Sequence, residues 1–151
     1  MARVKRYVAT LNERRSVIET REQQEDLLNE VGHDPSADLL VEEERGQMRG
    51  LERLLYFALG LGTRTDVPCF TLLRAQNEYG LAFLSEAWSE RRAFDPSRKG
   101  QNEGVSFRLS SGEAMSIPKA KCLPEETAMK AVRHFFEHRR PPAWLSYDRA
   151  Q

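Results

Sequence analysis

The sequence predicts an α+β fold: a largely antiparallel sheet built from hairpins, packed by N-terminal helices and by a C-terminal helix followed by a short aromatic tail strand. Two observations carry this. The apolar residues recur with a helical period near both ends of the chain and with a period of two in the middle. The elements are also segregated (helices, then hairpins, then a helix) rather than alternating as in a parallel α/β sheet. A chain of 151 residues is one domain's worth, and residues 1–151 read as a single domain with no repeat, low-complexity tract or linker.

Residues 4–11 (VKRYVATL) are rich in β-formers and predict a first strand. Thr20 and Gln23 then fit a capping box, with Leu27, Leu28 and Val31 at helical spacing and Gly32 as the stop. Ser36 is placed to cap a second helix carrying Leu39 and Leu40. The run Glu42, Glu43, Glu44 is ambiguous between helix and strand. Met48, Leu51, Leu54, Leu55, Ala58 and Leu59 follow as an amphipathic helix, ended by Gly60 and Gly62.

Past Pro68 the pattern predicts a hairpin, residues 69–74 against 81–84 around a turn at 76–80. The polar stretch 89–104, with Asp95-Pro96, Lys99-Gly100 and Gly104, predicts a long loop. A second hairpin joins residues 105–109 to 114–117. In the C-terminal helix Pro124 suits the start and Glu125 and Glu126 favour the positive end of the dipole. Ala128, Ala131, Val132, Phe135 and Phe136 form the apolar stripe, and Pro141-Pro142 forbids continuation. Trp144, Leu145 and Tyr147 predict a tail that packs back on the sheet.

Charge is balanced overall, with 23 basic and 23 acidic residues, but unevenly spread. Residues 1–11 carry +3, residues 12–52 carry −7 from five basic and twelve acidic side chains, and residues 53–151 carry +4. Without a basic excess, direct nucleic-acid binding is not expected, because it relies on phosphate neutralisation. No apolar run approaches the roughly 18 residues that span a bilayer, so no membrane association is expected. The N-terminus has no signal-type apolar region. Cys69 and Cys122 are far apart without metal-type spacing, which suits reduced thiols in a cytoplasmic protein.

His134, Glu137 and His138 match H-x-x-E-H, in which two histidines one turn apart hold zinc and the glutamate acts as base. This makes a metal-dependent hydrolase the alternative reading. Against it, Asp148 is the sole acid downstream for a third ligand, and the stripe through Val132 and Phe135 turns His134 and Glu137 toward solvent. No P-loop, G-x-G-x-x-G or G-x-S-x-G motif is present. The expectation is a protein that is not an enzyme and needs no cofactor or metal.

The C-terminal run resembles immunity protein family 1 of bacterial polymorphic toxin systems. The resemblance is carried by Ala128, Ala131, Val132, Phe135 and Phe136, then Arg140 and Pro142, then Leu145-Ser146-Tyr147, with the hairpin of residues 105–117 and Leu123-Pro124 before them. It covers residues 105–147 best, is weak over 1–85 and is absent over 36–66. Tyr147 stands where the family has Trp, and His138-Arg139 where it has Thr-Gly. The resemblance implies an antitoxin that binds a cognate toxin domain, many of which are deaminases, and blocks its active site. Its motif bears the fold and marks no binding residues. Charge and exposure instead nominate Glu86, Trp88, Glu90, Arg92 and Asp95, with Glu42, Glu43 and Glu44 as a second patch. Acidic groups would enter a deaminase's basic substrate channel as phosphate mimics, and Trp88 is either core or an interface anchor.

Overall fold

The computed structural model describes residues 5–44, 51–59, 66–85 and 89–149. The described strands are β1 (Tyr7–Leu11), β2 (Arg14–Ile18), β3 (Asp38–Glu43), β4 (Val67–Ala75), β5 (Glu78–Leu84), β6 (Glu90–Phe94), β7 (Gly104–Arg108), β8 (Ala114–Pro118), β9 (Leu123–Pro124) and β10 (Ser146–Arg149). The helices are α1 (Arg21–His33), α2 (Leu51–Ala58) and α3 (Glu125–His138). An antiparallel sheet runs in the order β10-β6-β5-β4-β3-β1-β2, with β9 pairing the start of β5; β7 and β8 form a separate hairpin. The expected α+β class is what the chain adopts.

The N-terminal third departs from expectation in detail. A β1–β2 hairpin turns through Asn12 and Glu13, both at positive φ (48° and 71°). Asn suits such a turn, but Glu13 stands where glycine would have advertised it. The capping box of α1 forms as expected: Thr20 Oγ1 accepts from the Gln23 amide at 3.1 Å and Gln23 Oε1 from the Thr20 amide at 3.1 Å. The helix continues through Gly32 to His33 and stops at Asp34. Asp34 then accepts from the Ser36 amide at 3.0 Å, closing a turn rather than starting a helix.

The helix expected after Ser36 is therefore corrected to strand β3. Leu39 and Val41 alternate into the core with no exposure, and the segment fills the slot between β1 and β4. Tertiary pairing overrides local propensity here. The long loop expected over 89–104 is likewise corrected, since Glu90–Phe94 pairs with both β5 and β10.

The two sheet faces are covered differently. Leu72 and Leu73, adjacent on β4, point to opposite sides. Leu72 joins the main core under α1 and α3, with Leu39, Val41, Leu81 and Val132. Leu73 joins a second cluster with Phe107, Ile117 and Cys122, under the β7–β8 hairpin. A Cβ on Gly80 would lie 2.9 Å from Ile117 Cδ1 and 3.3 Å from Arg92 Nη1, so glycine lets that hairpin approach β5. Asp38 Oδ2 accepts from both the Ser110 amide and its hydroxyl at 2.8 Å, fastening the hairpin to β3. Cys69 belongs to the first cluster and Cys122 to the second, and both are free thiols.

Helix α3 is anchored by aromatic packing. Phe135 meets Phe70 at 5.4 Å between centroids and Phe83 at 5.7 Å, while Phe136 meets Tyr7 at 5.3 Å. Tyr147 completes the group against Phe83 at 6.0 Å, and its hydroxyl donates to the Pro142 carbonyl at 2.6 Å. A tyrosine thus fills the aromatic slot of the tail. The helix ends on Arg139 at φ 59°, ψ 28°, with its amide donating to the Phe135 carbonyl at 2.7 Å. That left-handed position is one that glycine adopts without strain. Thr20→Ala should lower stability by about 1 kcal/mol through the lost cap. Arg139→Gly should raise it by about 1 kcal/mol by relieving the left-handed conformation. Urea unfolding of the two variants checks both signs.

Candidate functional site

Strand register decides which of the nominated residues lie together. Glu43 is opposite Tyr7 on one side and Val67 on the other, and Glu90 is opposite Leu84. Because β4 and β5 pair Phe70 with Phe83, Glu42–Glu44 and Glu90 fall at the same end of the sheet. Asp95 lies at the other end, beyond Phe94, which pairs with Ser146. Glu86 and Trp88 lie outside the described residues.

Most of these carboxylates already have partners. Glu43 accepts from Lys5 at 3.1 Å, and Glu44 sits 2.9 Å from Arg6, which also reaches Glu19 at 3.3 Å. Glu90 pairs with Arg92 at 2.6 Å, two residues along the same strand face. Asp95 caps the 3-10 turn Pro96–Arg98, accepting from the Ser97 amide at 3.0 Å and its hydroxyl at 2.7 Å. These hydrogen bonds hold the Asp95 carboxyl below the usual range. Asp95 is therefore committed to local structure.

Glu42 differs. It points to the face opposite α1 and α3, half-buried, and its pKa is raised by burial and then by the nearby Asp66 charge, against a lowering by Arg15. Asp66 is itself tied to Arg15 at 3.4 Å, and its other oxygen, Oδ1, is buried without a hydrogen-bond partner among the described residues. One arginine thus serves two carboxylates. Among the described residues Arg15 is the one cation that reaches this pair. Sequence reasoning missed Arg15 and Asp66 because only the sheet order β2-β1-β3-β4 brings them together. The one legible signal was the basic N-terminus followed by an acidic block, and Lys5 and Arg6 neutralise part of that block.

Helix α2 presents the other unusual surface. Leu51, Leu54, Leu55 and Leu59 are 86%, 66%, 60% and 63% exposed. The expected amphipathic helix is present over 51–58, while Met48 lies outside the described residues. The apolar stripe that such a helix normally buries faces solvent.

The H-x-x-E-H residues form a stack. The rings of His134 and His138 lie 4.3 Å apart, and Trp144 meets His134 edge-on at 6.4 Å. Lys130 sits 4.8 Å over Trp144. Glu137 is exposed, 4.0 Å from His138. Burial, His138 and Arg140 lower the His134 pKa. Among the described residues no three His, Cys, Asp or Glu side chains converge as metal ligands. Burial pushes the Cys69 thiol to about 12, helped by Glu43, and Cys122 to about 11, helped by Glu78; neither is set up as a nucleophile. Among the described residues no helix is long and apolar enough to cross a membrane.

The strained carboxylate makes a signed pH prediction. With its folded pKa above the unfolded value of 4.5, Glu42 binds its proton more tightly in the folded state. Stability is therefore lost as pH rises through that window. Glu42→Gln should raise the urea midpoint relative to the parent at about pH 7 and much less at about pH 4. A difference that does not vary with pH would remove Glu42 as its source.

No protein-family model matches the chain, and no curated protein matches it.

Proposed function

We propose that the protein is a stoichiometric inhibitor: an immunity protein that binds a bacterial toxin domain in the cytoplasm and blocks its active site, without catalysis or cofactor. The toxin class we propose is a nucleic-acid deaminase. The observation that carries the protein-binding part is the leucine face of α2. Four leucines at positions i, i+3, i+4 and i+8 are 60% exposed or more, the pattern of a helix that lies in a partner's groove. The toxin as partner, and its class, rest on the resemblance over residues 105–147.

Charge supports the same reading. Strand β3 ends at Glu43 and β4 begins at Val67, and α2 lies between them in the chain. An apolar centre with an acidic flank at Glu42 and Asp66, which share Arg15 among the described residues, suits a partner with a basic rim. A deaminase's nucleic-acid channel has that character. In this reading Glu42, Glu43 and Glu44 belong to the contact surface, and Asp95 does not.

The test is co-expression with the toxin domain encoded by the gene immediately upstream. The parent should protect the cell and co-purify with the toxin domain. A Leu54→Asp, Leu55→Asp double variant should weaken binding about 100-fold or more, since two buried leucines contribute about 3–6 kcal/mol. Its own unfolding midpoint should change little, because both side chains are already in water. Undiminished affinity in the double variant would eliminate the α2 face, and unprotected cells expressing the parent would eliminate the toxin.

A further inference from the structure

Strand β7 has one edge that pairs with nothing in the described protein. The Leu109 amide donates to the Glu113 carbonyl and the Lys119 amide to the Glu103 carbonyl, both at 2.8 Å. In an antiparallel ladder these bonds fix the direction of every backbone group between them. Residues 103, 105, 107 and 109 face β8; the N–H and C=O groups of Gly104, Ser106 and Arg108 therefore face the other way. They line one wall of a cleft of about 580 Å³, whose opposite wall is the β4–β5 tip at Ala75, Gln76 and Asn77.

The next outward amide along this edge, at Ser110, is already occupied. Asp38 Oδ2 accepts from it and from the Ser110 hydroxyl, each at 2.8 Å. The edge is thus closed at one end by a carboxylate and open over three residues within the cleft. Gly104, Ser106 and Arg108 are exposed, and an exposed edge is a template for another strand.

We infer that the β7 edge is a docking site for a single extended segment of a partner protein that carries a carboxylate side chain. The charges in the cleft select that chemistry. Arg74 spends its guanidinium on the carbonyls of Gln76, Val31 and Asp34 at 2.8–3.0 Å, and it lies outside the ion pairs of the described residues. Glu78 is engaged by Arg98. Arg108 is exposed and outside the described ion pairs. The β4–β5 tip faces the edge across the cleft. Backbone bonds supply the affinity and the arginines choose the sequence. The inference is independent of whether the partner is a toxin.

A phage-displayed library of random dodecapeptides is the probe. Selection on the parent should return peptides rich in Asp or Glu within an extended stretch. On binding, the Ser106 and Arg108 amides should gain protection from hydrogen exchange while Val105 and Phe107, already bonded to β8, stay unchanged. Ser106→Pro removes an outward N–H without touching the β8 ladder and should weaken the selected peptides about tenfold or more. Arg108→Glu should weaken acidic peptides and spare neutral ones. Failure to select any peptide would overturn the proposal, as would full affinity in a folded Ser106→Pro variant or self-association through this edge in sedimentation. Should Ser106→Pro not fold, the pattern of amide protection in the parent decides alone.

Discussion

Phe70 is the residue on which the rest of the structure depends. It has no exposed surface and touches Phe83 on the next strand and both Phe135 and Phe136 on α3. Through Phe136 the contact extends to Tyr7 on β1, and through Phe83 to Tyr147 on β10. One aromatic cluster therefore joins the first strand, the central strands, the last helix and the final strand. Such rings contribute by burial and by edge-to-face geometry, about 0.5–1.5 kcal/mol per pair beyond area alone. Through it β1 and β10, which are separated by four strands in the sheet, share one core.

With the core committed to that cluster, the places left for recognition lie at the periphery. The leucine face of α2, the Glu42–Asp66 pair and the β7 edge are all outside the layer between the sheet and the two packed helices. Among the described residues each is a local departure: apolar surface in water, two carboxylates sharing one arginine, and an edge strand with no neighbour. Natural chains keep such departures where function requires them. The acidic block that the sequence displays over residues 12–52 is less available than it looks. Lys5, Arg6, Arg14 and Arg133 pair with Glu43, Glu44, Glu30 and Glu25.

Legibility followed the range of the interaction. The α1 capping box, the α3 stripe and the β4–β5 and β7–β8 hairpins depend on residues close in sequence, and the sequence displayed them. The β1–β2 hairpin was hidden because Glu13 occupies a positive-φ position with no glycine signal, and because β2 is an edge strand with only Ile18 buried. Strand β3 was hidden by Ser36 and by a Leu-Leu pair that a helix would also accept. Strand β6 was hidden by its charges: Glu90, Arg91 and Arg92 look like loop, yet only Ala93 needs to reach the core.

The candidate site divides in the same way. Glu42, Glu43 and Glu44 were visible as acidic residues, and α2 was visible as an amphipathic helix. That Glu42 shares Arg15 with Asp66 while Glu43 and Glu44 pair with Lys5 and Arg6 among the described residues depends on register between strands distant in the chain. That Asp95 serves a turn rather than a partner depends on where its oxygens point. Sequence by itself determined the α+β class, the capped α1, the α3 stripe, the β4–β5 and β7–β8 hairpins and the aromatic tail, because those rest on periodicity and neighbouring residues. Tertiary structure alone decided which charges are neutralised, which helix face is left bare and which strand edge is left open, because each is set by what packs against it from elsewhere in the chain.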